Sequence, residues 1–70
     1  MSSSPFPNLS RRERQIMDAV YTLGEASAAE IHAQIPQPIT DASVRRLLRI
    51  LETKGHLTHS KRGREYLYRP

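Results

Sequence analysis

The stretch Thr40-Asp-Ala-Ser-Val-Arg-Arg-Leu-Leu-Arg-Ile-Leu-Glu-Thr-Lys-Gly-His-Leu-Thr-His-Ser-Lys-Arg-Gly-Arg-Glu-Tyr-Leu-Tyr-Arg69 changes its apolar period part-way, at Gly55. Before Gly55, Val44, Leu47, Leu48 and Leu51 recur at i, i+3, i+4 and i+7, the spacing of one helix face. Thr40 is suited to the N-cap and Gly55 to the end, so a helix is expected over about 41 to 54. With Val44 at zero and about 100° per residue, the apolar stripe centres near ~350°. Arg45, Arg49, Ala42, Thr53 and Arg46 then fall between about 100° and 200°, so three arginines project away from the core.

After Gly55 the alternation is that of strands. His56-Leu-Thr-His-Ser60 and Glu65-Tyr-Leu-Tyr-Arg69, joined by a loop Lys61-Arg-Gly-Arg64, predict a β-hairpin with Gly63 in its turn. Placing Ser60 opposite Glu65 pairs His59 with Tyr66 and Leu57 with Tyr68. Leu57, Tyr66 and Tyr68 then share a face that is expected to close the core, with the basic tip in water.

Two shorter helices are expected upstream. Ser10-Arg-Arg-Glu13 is a capping box, followed by Ile16, Val20 and Leu23 on one face and by Gly24 as a stop, which gives a helix from about 11 to 23. Ser27-Ala-Ala-Glu30 is a second capping box, and Ala28, Ile31 and Ile35 form the stripe of a helix that Pro36 and Pro38 end. The link Gly24-Glu-Ala-Ser27 is too short for an independent strand but can pair at a sheet edge.

The expected fold class is therefore α+β and mainly helical: three helices, then a hairpin wing on a small antiparallel sheet, the order of a winged helix-turn-helix. Its 70 residues allow one core, since so short a chain buries only about 60% of the surface its unfolded form exposes. Residues 1–8 are expected to be a disordered tail and 9–70 the domain. With no cysteine, disulfides and thiolate metal sites are excluded. No apolar run approaches the roughly 18 residues of a membrane span, and the leader has neither the basic start nor the apolar stretch of a signal peptide, so a cytoplasmic location is expected.

Charge is segregated along the chain. Residues 1–39 hold three arginines against four acids, a net of −1, whereas residues 40–70 hold eight basic groups against three acids, a net of +5. The basic half contains both the third helix and the hairpin, the pairing expected of a polyanion binder. An α-helix fits the major groove of double-stranded DNA and a basic hairpin can grip the backbone beside it. In that reading Thr40, Asp41, Ala42 and Ser43 enter the groove first, with Arg45, Arg46 and Arg49 along the exposed face, while Lys61, Arg62 and Arg64 meet phosphates.

Two other classes compete with this one. A winged-helix module that docks an acidic protein, without sequence-specific DNA binding, has the same topology and charge. An enzyme is disfavoured. His32, His56 and His59 are the only imidazoles, and their expected positions do not converge on a metal or catalytic site. Ser27 and Ser43 fit a cap and a first helical turn rather than a nucleophile. Tyr66 and Tyr68 fit sheet packing better than stacking on single-stranded bases. No catalytic residue, metal site or cofactor is expected.

The sequence also resembles the penicillinase repressor (BlaI/MecI/CopY) family of bacterial transcription regulators. The resemblance lies in Leu9-Ser-Arg-Arg-Glu-Arg-Gln-Ile-Met-Asp18, Ala28-Ala-Glu-Ile-His32, Ser43-Val-Arg-Arg-Leu-Leu-Arg-Ile-Leu-Glu-Thr-Lys-Gly-His-Leu57 and Gly63-Arg-Glu-Tyr-Leu-Tyr68, nearly everything from Leu9 to Pro70. It implies a repressor that binds a palindromic operator as a homodimer and is released by an upstream signal. In the family a helical C-terminal segment supplies most of the dimer interface. That segment is not in this sequence, so weak or no dimerisation is expected of the chain alone. The metal-binding cysteines of the family's copper-responsive branch would lie there too.

Overall fold

The computed structural model describes residues 9–70, and the tail expected over residues 1–8 lies outside the described residues. The elements run α1 (Arg11–Leu23), β1 (Ala26–Ser27), α2 (Ala28–Gln34), α3 (Asp41–Thr53), β2 (Thr58–Arg62) and β3 (Glu65–Arg69). Three helices followed by a hairpin make a winged helix-turn-helix, as the change of period predicts.

Local chemistry sets the helix starts. Ser10 Oγ accepts from the Glu13 amide at 3.2 Å and Glu13 Oε1 accepts from the Ser10 amide at 2.8 Å. Ser27 and Glu30 repeat this at 3.2 and 2.9 Å. Each box satisfies two amides that have no partner within the helix. Ser27 is also the last residue of β1, because an N-cap has extended φ and ψ and so continues a strand without a break.

α3 ends one residue earlier than expected, with Lys54 as its C-cap. Gly55 follows at φ 84°; its amide donates to Glu52 O at 3.0 Å and the His56 amide donates to Leu51 O at 2.9 Å. These are the paired bonds of a Schellman motif, and its left-handed residue is the position that favours glycine.

Leu9, Ile16, Met17, Val20, Ala26, Ile31, Ile35, Val44, Leu48, Leu51 and Leu57 are buried in one core, with Ala28, Ile39, Leu47 and Tyr68 packed at its edge. The stripes read from the periodicity on each helix point into it except at Leu23, which stands at the last turn of α1, past the edge of the core, and is 37% exposed. The turn between α2 and α3 is held from α1, where Arg12 donates from Nη1 to Pro36 O at 2.8 Å and from Nη2 to Pro38 O at 3.0 Å.

The hairpin departs from expectation in register. Arg62 pairs with Glu65, Lys61 with Tyr66, Ser60 with Leu67 and His59 with Tyr68, so pairing runs two residues closer to the tip than the Ser60–Glu65 alignment. The four-residue loop 61–64 is therefore a two-residue turn, with Lys61 and Arg62 inside β2. Gly63 stands at φ 62° and Arg64 has negative φ, the arrangement of a type II′ turn, whose twist matches that of the strands and lets them pair up to it. A shift of two keeps each side chain on its face but moves it along the sheet. Leu57 is buried and Tyr68 half-buried against the core, as expected, whereas Tyr66 is 48% exposed beyond the core's edge. Leu67, on the other face, is buried as well. Its strand is central in the order β1-β3-β2, so Ser27 and Ser60 flank it on both sides. The pairing of Ala26–Ser27 with β3 is the sheet-edge link anticipated for that segment.

Candidate nucleic-acid interface

Burial of Val44, Leu48 and Leu51 turns the opposite face of α3 outward, and Arg45, Arg46 and Arg49 are all exposed on it. The wing stands beside this face. His59 Nδ1 on β2 is hydrogen-bonded to Glu52 Oε2 on α3, which ties strand to helix. The His59 ring also meets Tyr66 edge-on at 4.7 Å between centroids and lies 5.7 Å from Tyr68. Burial raises the Tyr68 hydroxyl pKa, the carboxylate of Glu52 adding to the effect.

Between helix and wing lies an open groove. Arg45, Arg46, Arg49 and Glu52 of α3 form one wall, Arg64 of the turn with His59, Glu65, Tyr66 and Tyr68 the other, and Ser27, Ala28 and Ala29 its end. Four arginines thus line the groove with two glutamates; the Glu52 carboxylate is already engaged by His59, and Glu65 shares with Arg62 the sheet face opposite to that of Tyr66. The result is a positive groove with an aromatic side. Guanidinium offers paired donors for guanine edges or phosphate oxygens, and tyrosine adds a flat apolar surface with one polar end.

Not every residue singled out from the sequence joins this groove. Arg45, Arg46, Arg49 and Arg64 converge there. Lys61 and Arg62 are exposed on β2 and point to opposite faces of the sheet, opposite Tyr66 and Glu65 respectively. The remaining four stand at the head of α3. Thr40 is its N-cap: its Oγ1 accepts from the Ser43 amide at 3.1 Å and donates to Ser43 Oγ at 2.9 Å. Ser43 therefore keeps its own hydroxyl proton to donate. Ala42 is exposed. The Asp41 carboxylate is exposed but engaged, with Oδ1 2.5 Å from His32 Nδ1.

Sequence reasoning passed over His59, Glu52 and Tyr66 as parts of this groove, and Arg12 and His32 as groups that hold it. The alternation puts His59 and Tyr66 on one face, but which part of the wing meets α3 follows from register and docking angle. Among the described residues no three His, Cys, Asp or Glu side chains come together in a way that could hold a metal ion. Among the same residues no helix is long and apolar enough to cross a membrane.

Comparison with known proteins identifies this arrangement. A protein-family model described as penicillinase repressor matches residues 9–70. The CopR repressor structure is similar over 90% of this chain and 94% of its own, with a TM-score of 0.77 and 43% sequence identity. A structure of Bordetella bronchiseptica BpsR, whose DNA binding is regulated by 6-hydroxynicotinic acid, is similar over 93% of this chain but 46% of its own. Its TM-score is 0.79 at 23% identity, a likeness of fold. A search of curated protein sequences returned no match. With the family match spanning every described residue, and the CopR repressor alike in both sequence and fold, the chain belongs to the penicillinase repressor family and is a DNA-binding repressor domain, not an enzyme.

Proposed function

We propose that the domain represses transcription by laying α3 in the major groove of a palindromic operator, while the wing grips the flanking backbone. The observation that carries this reading is the convergence of Arg45, Arg46 and Arg49 from the helix with Arg64 from the wing on one groove. The helix arginines are placed to read guanine edges, and the exposed head of α3, from Thr40 to Ser43, leads the helix in. Arg64, with Lys61 and Arg62 on the exposed strand behind it, supplies charge for phosphates, which sets register without reading sequence. Tyr66 adds a contact of its own to sugar or base edge. The repressor acts as a homodimer in the bacterial cytoplasm, one α3 per half-site.

Selection of bound duplexes from a random pool tests the reading, followed by affinity measurements on the selected site across salt concentrations. A paired half-site and a steep fall of affinity with salt are expected. Replacing Arg45 and Arg49 by alanine is expected to cost roughly 1–3 kcal/mol for each bidentate pairing with a base that is removed, and to relax the selected sequence. Arg64→Ala should instead weaken all duplexes alike and lower the salt slope by about one. Absence of binding to any duplex at low salt would overturn the reading and favour a protein-docking role.

A further inference from the structure

His32 reaches the head of α3 with both of its ring nitrogens. Nδ1 lies 2.5 Å from Asp41 Oδ1 and Nε2 lies 2.6 Å from the carbonyl oxygen of Ile39. An ionised carboxylate and a backbone carbonyl only accept hydrogen bonds, whereas a neutral imidazole has a single N–H to give. A neutral ring would turn a lone pair on one of the two oxygens, so only the imidazolium satisfies both contacts. The Asp41 hydrogen bond, and after it that of the Ile39 carbonyl, hold the ring's pKa above the ordinary 6.5. From α3 the group facing the ring is Asp41, and from the turn it is the Ile39 carbonyl. Gln37 binds the backbone of His32 itself, donating to its carbonyl at 2.9 Å and to that of Ile35 at 3.1 Å. From α1, the cation of Arg12 binds the carbonyls of Pro36 and Pro38 in the same turn.

Asp41 is the first residue of α3, at the end that leads into the DNA. A carboxylate at a helix N-terminus suits the helix dipole but opposes phosphates of its own sign. Paired with an imidazolium it presents no net charge. We propose that His32 is a positioning residue for operator binding: as an imidazolium it neutralises Asp41 and ties the first turn of α3 to α2, so that duplex affinity is linked to proton uptake by the His32 ring. This rests on the reading of α3 as the recognition helix. Loss of the proton restores a negative charge at the head of α3 and releases one of the two ties. With one linked proton, log Kd changes by at most about one per pH unit.

The test is affinity for the selected duplex at fixed salt from about pH 6 to about pH 8.5, beside an NMR titration of the His32 ring. Kd is expected to rise on the order of 5- to 20-fold across this range, with a midpoint that tracks the ring. His32→Gln should hold Kd near the wild-type alkaline level and remove that midpoint, its amide spectrum serving as the check on folding. Asp41→Asn tests the charge from the other side and should keep affinity at alkaline pH near the wild-type acid level. A wild-type profile retained in His32→Gln, or ring titration with no change in Kd, overturns the proposal. So does Asp41→Asn weakening binding equally at every pH, which would make Asp41 a direct base contact. The Arg45→Ala, Arg49→Ala double variant, run in the same assay, separates the two levels. If it abolishes selective binding while His32→Gln changes nothing, the recognition helix stands and the role of His32 falls. If it leaves binding intact, the recognition-helix reading falls and takes this proposal with it.

Discussion

The two ends of α3 are each held by an ionic contact from another helix, but the two contacts differ in burial and respond to pH in opposite directions. At the C-terminal end Lys54 Nζ donates to Glu13 Oε1 and Oε2 at 3.3 and 3.1 Å. Glu13 is only 5% exposed and also closes the capping box of α1, so one buried carboxylate fixes the start of one helix and the end of another. At the N-terminal end His32 binds Asp41, whose side chain is 72% exposed. A buried carboxylate stripped of its partners is costly, whereas an exposed one is returned to water. The C-terminal end is thus built as an anchor and the N-terminal end as an adjustable contact, at the end proposed to meet DNA.

The largest effect expected from breaking this contrast lies at Glu13. Glu13→Ala removes the acceptor for both the Ser10 amide and Lys54 and leaves a gap, and should cost about 2–3 kcal/mol in urea unfolding. Its pH signature has a definite sign. The backbone bond from Ser10 lowers the Glu13 pKa, outweighing burial, which acts the other way, and Lys54 lowers it further. Its contribution is therefore present above the ordinary value of 4.5 and is lost as pH falls through that value to the lowered one. Glu13→Gln should flatten this acid limb of the stability profile.

A smaller effect tests the backbone of the same end. At Gly55 an added Cβ would meet nothing within 4 Å, so Gly55→Ala probes the left-handed φ of 84° alone. A loss of about 1–2 kcal/mol is expected. At the other end, Thr40→Ala removes the cap of α3 and should cost about 1 kcal/mol. An unchanged midpoint in that variant would mean that His32 and Asp41 hold the first turn without the cap.

The smallest effect is that of His32 on stability, and its sign is opposite to that of Glu13. Because the folded state raises its pKa, its contribution is present below the ordinary value of 6.5 and fades as pH rises through the raised folded value. Thermal melts from about pH 6 to about pH 9 should show an alkaline decline in the wild type that His32→Gln lacks. A pair of variants that each abolish one limb, Glu13→Gln the acid and His32→Gln the alkaline, would establish the contrast between the two ends. A single variant that abolished both would refute it.

Most of the fold was legible because its signals are short. Both capping boxes span four residues, Gly55 sits beside the helix it terminates, and the apolar stripes repeat within one or two turns. The convergence of Arg64 with the arginines of α3 was legible only as far as topology places a hairpin beside the third helix. Alternation assigned Tyr66 a face, but a shift of two preserves alternation, so its place beyond the core depended on the turn that Gly63 adopts. The contacts that hold the site join residues far apart in the chain: Arg12 to Pro36 and Pro38, Glu13 to Lys54. His32 and Asp41 are nine residues apart, yet belong to separate helices whose crossing brings them together.

By itself, then, the amino-acid sequence determined the order of the elements, the buried face of each helix and the outward placement of Arg45, Arg46 and Arg49, because these follow from periods and caps acting over a few residues. The tertiary structure decided the hairpin register, the exposure of Tyr66, the groove shared by α3 and the wing, and the two unlike clamps on the ends of α3. Those features depend on how helices cross and strands align, and any one residue adds too little to such packing for a local pattern to reveal it.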